Sequence, residues 1–240
     1  MKTIKGIWRF SRVICYTFVC LFQAYTRFKR VDRKEKGRML RYYPTQVLKL
    51  AGVRCSYEGN VPELLHECGL TDTPPAYMVL SNHISWLDIF SLDSQLPSRF
   101  IAKAEIAKWP VFGLIAQQIG TLFINRSSKR AILRINDDIR GALCNCEAVT
   151  IFAEGTTTFG NELLPIKANF IAPACEIGAT VQPVILSYKN KGKPTKRAAF
   201  AGDVTLFGSL WNVVTMEDAE VVVHFLEPIT NTKDLTRHEV

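Results

Sequence analysis

Between residues 77 and 153 short apolar runs alternate with segments of helical period, and this alternation constrains the chain more tightly than any other feature. Tyr77–Leu80, Arg99–Ala102, Thr121–Ile124 and Val149–Ala153 read as strands. Leu87–Leu92 and Trp109–Ile119 read as helices, and Ser128 caps a third that sets Ile132, Ile135, Ile139 and Leu143 on one face. Strands that alternate with helices imply an α/β sheet covered on both faces. Val53–Glu58, Val181–Leu186, Ala199–Gly202 and Val221–Leu226 are further strand candidates, and Val61 to Leu70 reads as an insertion with a helical turn. No Gly/Ser-rich or Pro-rich linker divides the 240 residues. The simplest division is a helical segment, 1–52, ahead of one domain, 53–240.

The first strand runs into Ser81-Asn82-His83-Ile84-Ser85-Trp86-Leu87-Asp88. Residues five apart in a continuous helix point about 140° away from each other. His83 and Asp88 therefore meet only if His83 sits outside the helix, at the mouth of the turn, with Asp88 in the helix beyond it. Asn82 and Ser85 suit the capping of such a turn. In that geometry the carboxylate orients an imidazole that serves as a general base. The same spacing also suits a plain cap or a hydrogen-bonded core histidine. His66, His224 and His238 have no comparable context.

Charge separates the two segments. Residues 1–41 hold 12 Lys and Arg against 2 Asp and Glu, so all the excess positive charge of the chain lies at its N-terminus. The body has no basic stripe with interleaved aromatics, which argues against nucleic acid as a partner. A basic segment flanking the apolar run Val13 to Ala24 points instead to an anionic lipid surface. That run is shorter than the roughly 20 residues a spanning helix needs, and no small-x-small cleavage site follows it. A helix lying in the membrane interface is expected, with Trp8, Tyr16, Phe18, Phe22 and Tyr25 as its contacts; a single span that includes Ile7 and Trp8 is the alternative. Lys36 to Gly52 reads as a second helix, kinked or broken at Pro44. The seven cysteines are irregularly spaced, and Cys144-Asn145-Cys146 has no second pair, so neither a disulfide framework nor a metal site is expected.

Four blocks in order resemble the glycerolipid acyltransferase family, specifically the bacterial 1-acylglycerol-3-phosphate acyltransferases. They are Asn82-His83 through Asp88; Phe100–Glu105 with Trp109–Gly113 and Gly120–Arg126; Phe152-Ala153-Glu154-Gly155-Thr156; and Val181–Ile185. Together they span residues 77 to 187 or so. The resemblance implies a mixed α/β acyltransferase domain behind a membrane-associated N-terminus. It implies acyl transfer from acyl-CoA or acyl carrier protein to a lysophospholipid hydroxyl, with 1-acylglycerol-3-phosphate giving phosphatidate as the leading acceptor and no cofactor required. It gives His83 and Asp88 the catalytic roles and places Asn82, Lys103, Arg126, Glu154, Gly155 and Thr156 in substrate binding. Arg126 and Lys103 lie just past strand ends, where they suit a grip on phosphate; the plain alternatives are a solvated strand terminus for Arg126 and an ion pair of Lys103 with Glu105. It also implies work at the cytoplasmic face of the inner membrane. One departure bears on the acceptor: many members read Pro-Glu-Gly-Thr-Arg where this chain reads Ala153-Glu154-Gly155-Thr156-Thr157. The missing cation keeps open another lysolipid acceptor, such as lyso-ornithine lipid. A non-catalytic lipid-binding protein is the rival of a different class. Lipid-ester hydrolysis is disfavoured, since no G-x-S-x-G elbow is present.

Overall fold

The computed structural model describes residues 2–62, 76–125 and 129–240. The chain opens with helix α1 (Lys2–Gln23), which continues as a π-helical turn over Ala24–Phe28, and turns back into α2 (Arg33–Ala51). Asp32 starts α2 by accepting the Glu35 N–H at 2.8 Å, and Gly52 ends it in the left-handed conformation. Pro44 lies inside α2 without breaking it. No described helix is long and apolar enough to cross a membrane.

The rest of the chain builds one mixed sheet. Its strands are β1 (Val53–Gly59), β2 (Met78–Ser81), β3 (Arg99–Lys103), β4 (Leu122–Ile124), β5 (Val149–Phe152), β6 (Val181–Asn190), β7 (Lys193–Pro194) and β8 (Ala219–Phe225). Their order is β1-β8-β6-β2-β5-β3-β4, with β7 as a hairpin on β6. Strands β6, β2, β5, β3 and β4 run parallel, and β8 is antiparallel to β6 but parallel to β1. The helices are α3 (Leu87–Asp93), α4 (Phe112–Ile119), α5 (Lys129–Cys144), α6 (Ala172–Ile177) and α7 (Leu206–Val214).

Neighbouring residues of the central strands enter different cores, as the two-residue side-chain period requires. Val79, Val184 and Leu186 join Leu87, Leu92, Leu48 and Val213 on the face covered by α1, α2, α3 and α7. Met78, Val149, Ile151 and Val181 join Ile135, Ile139, Leu143 and Ala174 on the face covered by α5 and α6. The expected α/β architecture is therefore present, with two corrections. Ala199–Gly202 is an irregular connection rather than a strand: the Phe200 N–H bonds the Ile84 carbonyl at 2.8 Å, and the Phe200 carbonyl accepts the Thr157 hydroxyl. The N-terminal helices are integral to the first core, to which α1 contributes Val13 and α2 contributes Leu48 and Ala51. Buried Arg9 fastens α1 further, its Nη1 donating to the carbonyl of Val214, the last residue of α7, at 3.2 Å and to that of Met216 at 2.9 Å. Of the expected insertion and third helix, residues 63–70 and the cap Ser128 lie outside the described residues.

Candidate active site

Strands β2 and β5 are parallel neighbours, and Ser81 at the end of one is paired with Phe152 at the end of the other. The chain therefore leaves the middle of the sheet twice on the same side, and the two exits build the site, at the carboxyl ends of strands where α/β folds gather their ligands. From β2 the backbone turns through Asn82–Trp86 into α3. His83 stays outside the helix, and Asp88 on its first turn reaches back to it: the His83 Nδ1–H donates to Asp88 Oδ2 at 2.8 Å. The same oxygen accepts the N–H groups of Ile84 at 2.7 Å and Ser85 at 2.9 Å, so the carboxylate both builds the turn and orients the ring. Asp88 is fully buried while His83 keeps 19% of its side chain exposed. With every donor around Oδ2 pointing at it, Nδ1 carries the ring proton and Nε2 is the nitrogen left for chemistry.

Three partners come from far along the chain. Tyr188 on β6 donates its hydroxyl to Asp88 Oδ1. Burial, reinforced by the Asp88 charge, pushes this phenol well above its ordinary value, which keeps it a donor. Phe152, the last residue of β5, stacks on the imidazole with ring centroids 3.8 Å apart and an interplanar angle of 9°. Glu154 follows it, and its Oε1 accepts the His83 N–H at 2.8 Å while its Oε2 accepts the Leu164 N–H at 3.0 Å. None of these contacts is among those the local sequence predicts. The alternation of Val184, Leu186 and Tyr188 does carry the signal for Tyr188, which shares their face of β6, but the strand continues past the expected end at Leu186.

An apolar cavity of about 370 Å³ opens against His83. Its walls include Trp86, Phe100, Phe112 and Phe152, together with Met39, Tyr43 and Val47 of α2 and Thr17, Cys20 and Ala24 of the first helix. Lys103, Gly155, Thr156 and Thr157 line it as well. So does Asp93, whose carboxyl accepts the Ser98 N–H at 3.0 Å and is pushed well above the carboxylate range by burial.

Of the expected substrate contacts, Lys103, Gly155 and Thr156 are thus at the cavity, and Arg126 lies outside the described residues. Asn82 and Glu154 stand behind His83 instead. The Asn82 amide accepts the Leu186 N–H at 2.7 Å and donates to the Leu186 carbonyl at 3.0 Å, clipping the turn to β6. Glu154 accepts two backbone N–H groups. Thr157, in place of the common Arg, turns its hydroxyl to the Phe200 carbonyl. Among the described residues no group of three or more His, Cys, Asp or Glu side chains is arranged to hold a metal.

A buried carboxylate, an imidazole oriented by it and an apolar cavity thus meet at the carboxyl ends of the central strands, and the chain belongs to the acyltransferase family, whose sequence model matches residues 55–187. It is 43% identical over 154 residues to the 1-acyl-sn-glycerol-3-phosphate acyltransferase of Neisseria gonorrhoeae, a match covering 64% of this chain and 60% of that protein. It is 31% identical over 223 residues to the lyso-ornithine lipid O-acyltransferase of Rhizobium meliloti, covering 88% of this chain and 73% of that protein. The chain thus spans about 60% of the length of the first of these relatives. The crystal structure of the 1-acyl-sn-glycerophosphate acyltransferase from Thermotoga maritima shares the fold, with a TM-score of 0.68 at 18% identity over 100% of this chain and 91% of that one.

Proposed function

We propose that the protein transfers an acyl group from a thioester, acyl-CoA or acyl carrier protein, to the free hydroxyl of a lysophospholipid, with 1-acylglycerol-3-phosphate as acceptor and phosphatidate as product. The observation that carries this reading is the His83–Asp88 pair at 2.8 Å, on a wall of a 370 Å³ apolar cavity. His83 Nε2 takes the acceptor's hydroxyl proton as its oxygen attacks the thioester carbonyl. The tetrahedral intermediate then collapses, and the imidazolium returns the proton to the departing thiolate. Asp88 holds the ring and balances its transient charge, and Phe152 fixes the ring plane. The acyl chain occupies the cavity. No serine or cysteine nucleophile, metal or cofactor enters the scheme.

The oxyanion needs donors that are not already committed. The N–H groups of His83, Ile84 and Ser85 go to Glu154 and Asp88, and Thr158 N–H goes to the His83 carbonyl at 2.9 Å. The backbone N–H groups of Thr156 and Thr157, on the cavity wall with His83, are therefore the oxyanion donors in this scheme. Lys103, with Arg126, meets the acceptor's phosphate. A second reading keeps the chemistry and takes lyso-ornithine lipid as acceptor. It is favoured by Thr157, which supplies no charge, and by the relative of that name matching 88% of the chain.

The setting proposed is an anionic membrane at the cytoplasmic face. On α1, Ile4, Ile7, Trp8, Phe18 and Phe22 are all more than half exposed on the side turned away from the body. Such a stripe beside a strongly basic segment suits a helix lying in the headgroup region. The test is the product formed by purified protein from an acyl-CoA and a panel of lysolipids. Phosphatidate is expected from 1-acylglycerol-3-phosphate, with His83→Ala losing about 10²–10⁴-fold in rate. Preference for a phosphate-free acceptor selects the second reading. A His83→Ala variant with more than a tenth of wild-type turnover would sink both.

A further inference from the structure

Helix α7 carries two large aromatic side chains in solvent, Phe207 at 63% and Trp211 at 37% exposed. They are not scattered surface residues. Phe10 of α1 joins them, its ring 6.5 Å from that of Phe207 and 6.1 Å from that of Trp211. Gly6 lets the helices approach this closely: a Cβ there would lie 2.7 Å from Thr215 Cγ2 and 3.6 Å from the Trp211 ring. Arg9, one turn on, bonds the carbonyl of Val214 at the end of α7 and that of Met216 just past it. The two helices are thus clamped together, and a surface that receives the outward stripe of α1 meets α7 as well.

We propose that α7 is a second lipid-contacting element, Phe207 and Trp211 extending α1 into one apolar platform for a membrane surface with anionic headgroups. The proposal rests on the reading of α1 as an interfacial helix. Charge complementarity selects the occupant. Lys5 and Arg12 are exposed on α1, with the Arg12 guanidinium 4.0 Å over the Trp8 ring. Exposed Arg197 donates to the Asn212 carbonyl at 3.4 Å and to Thr215 at 3.0 Å at the far end of α7, next to exposed Lys196. Acidic groups are near but fewer: Asp203 precedes α7, and Glu217 is paired with Lys191. Aromatic rings with cations beside them are the composition of a membrane–water boundary. A surface for a second copy of the chain has no use for like charge on both partners.

The test uses full-length protein and vesicles of phosphatidylethanolamine and phosphatidylglycerol that contain no substrate. Phe207→Ser with Trp211→Ser is expected to weaken partition about tenfold or more, with the melting temperature held. Brominated lipid is expected to quench tryptophan fluorescence less in Trp211→Phe than in wild type, a readout that survives if the serine variant misfolds. Unchanged partition together with unchanged quenching overturns the proposal, as does equal binding to neutral phosphatidylcholine. A change from dimer to monomer in sedimentation without a change in lipid binding assigns the face to a second copy and also overturns it. Because no substrate is present, a protein inactive on every lysolipid but bound through Trp211 leaves this inference standing while refuting the catalytic one.

Discussion

Asp88→Asn separates charge from geometry at the site. Alanine would be a poor probe, because it strands the donors of His83, Ile84, Ser85 and Tyr188, each unsatisfied group costing about 1–3 kcal/mol. In asparagine the amide oxygen takes the place of Oδ2 and keeps all three bonds made there. The NH₂ then faces Tyr188, whose hydroxyl rotates to accept instead of donate. What disappears is the negative charge beside the imidazolium that forms during attack. At a charge separation of roughly 4 Å and an effective dielectric near 20, that interaction amounts to about 4 kcal/mol. At 1.36 kcal/mol per tenfold, the upper limit of the loss is about 10³ in kcat, and about 10²–10³ is expected. Thiol release from acyl-CoA at saturating acceptor measures it, with thermal unfolding alongside. Turnover above a tenth of wild type in a stably folded variant would show that the charge is not used. Collapse of the fold would show that the amide cannot occupy the carboxylate's place, contrary to the hydrogen-bond pattern.

Other perturbations test the supports. Glu154→Gln leaves one acceptor for two backbone N–H groups, so the variant should unfold about 1–3 kcal/mol more easily in urea and lose activity as the His83 turn loosens; unchanged stability would contradict the two bonds at 2.8 and 3.0 Å. Arg9→Met removes the buried guanidinium from the two carbonyls at the end of α7, and a loss of about 1.5–3 kcal/mol in urea unfolding is expected; less than 0.5 kcal/mol, roughly, would mean that α1 is not stapled there. Gly52→Ala is expected to destabilise through its φ of +77° and through the Arg9 guanidinium, 2.2 Å from the added Cβ, and the effect should be smaller in an Arg9→Met background, which a double-mutant cycle reads directly.

The sequence alone determined what depends on short range. A two-residue period in one stretch and a helical period in the next follow from which side chains a strand or a helix can bury, so the central strands and helices were legible. The His83–Asp88 pair was legible too, because only five residues separate its members and only a turn brings them together. Tertiary structure decided the rest, since those contacts join segments whose local patterns carry no record of each other. Glu154 meets His83 across 71 residues, Tyr188 meets Asp88 across 100, and Arg9 meets Met216 across 207. The backbone partners of Asn82 and Glu154 were out of reach for the same reason: those groups lie on segments 104 and 71 residues away, at Leu186 and His83. The N-terminal helices show the physics most plainly. Their charge and apolar runs pointed to a membrane, and only packing revealed that the inner faces of the same helices, through Val13 and Leu48, complete the core and, through Thr17, Cys20 and Tyr43, wall the cavity. An amphipathic helix has two faces to bury, and composition does not say which neighbour will cover each.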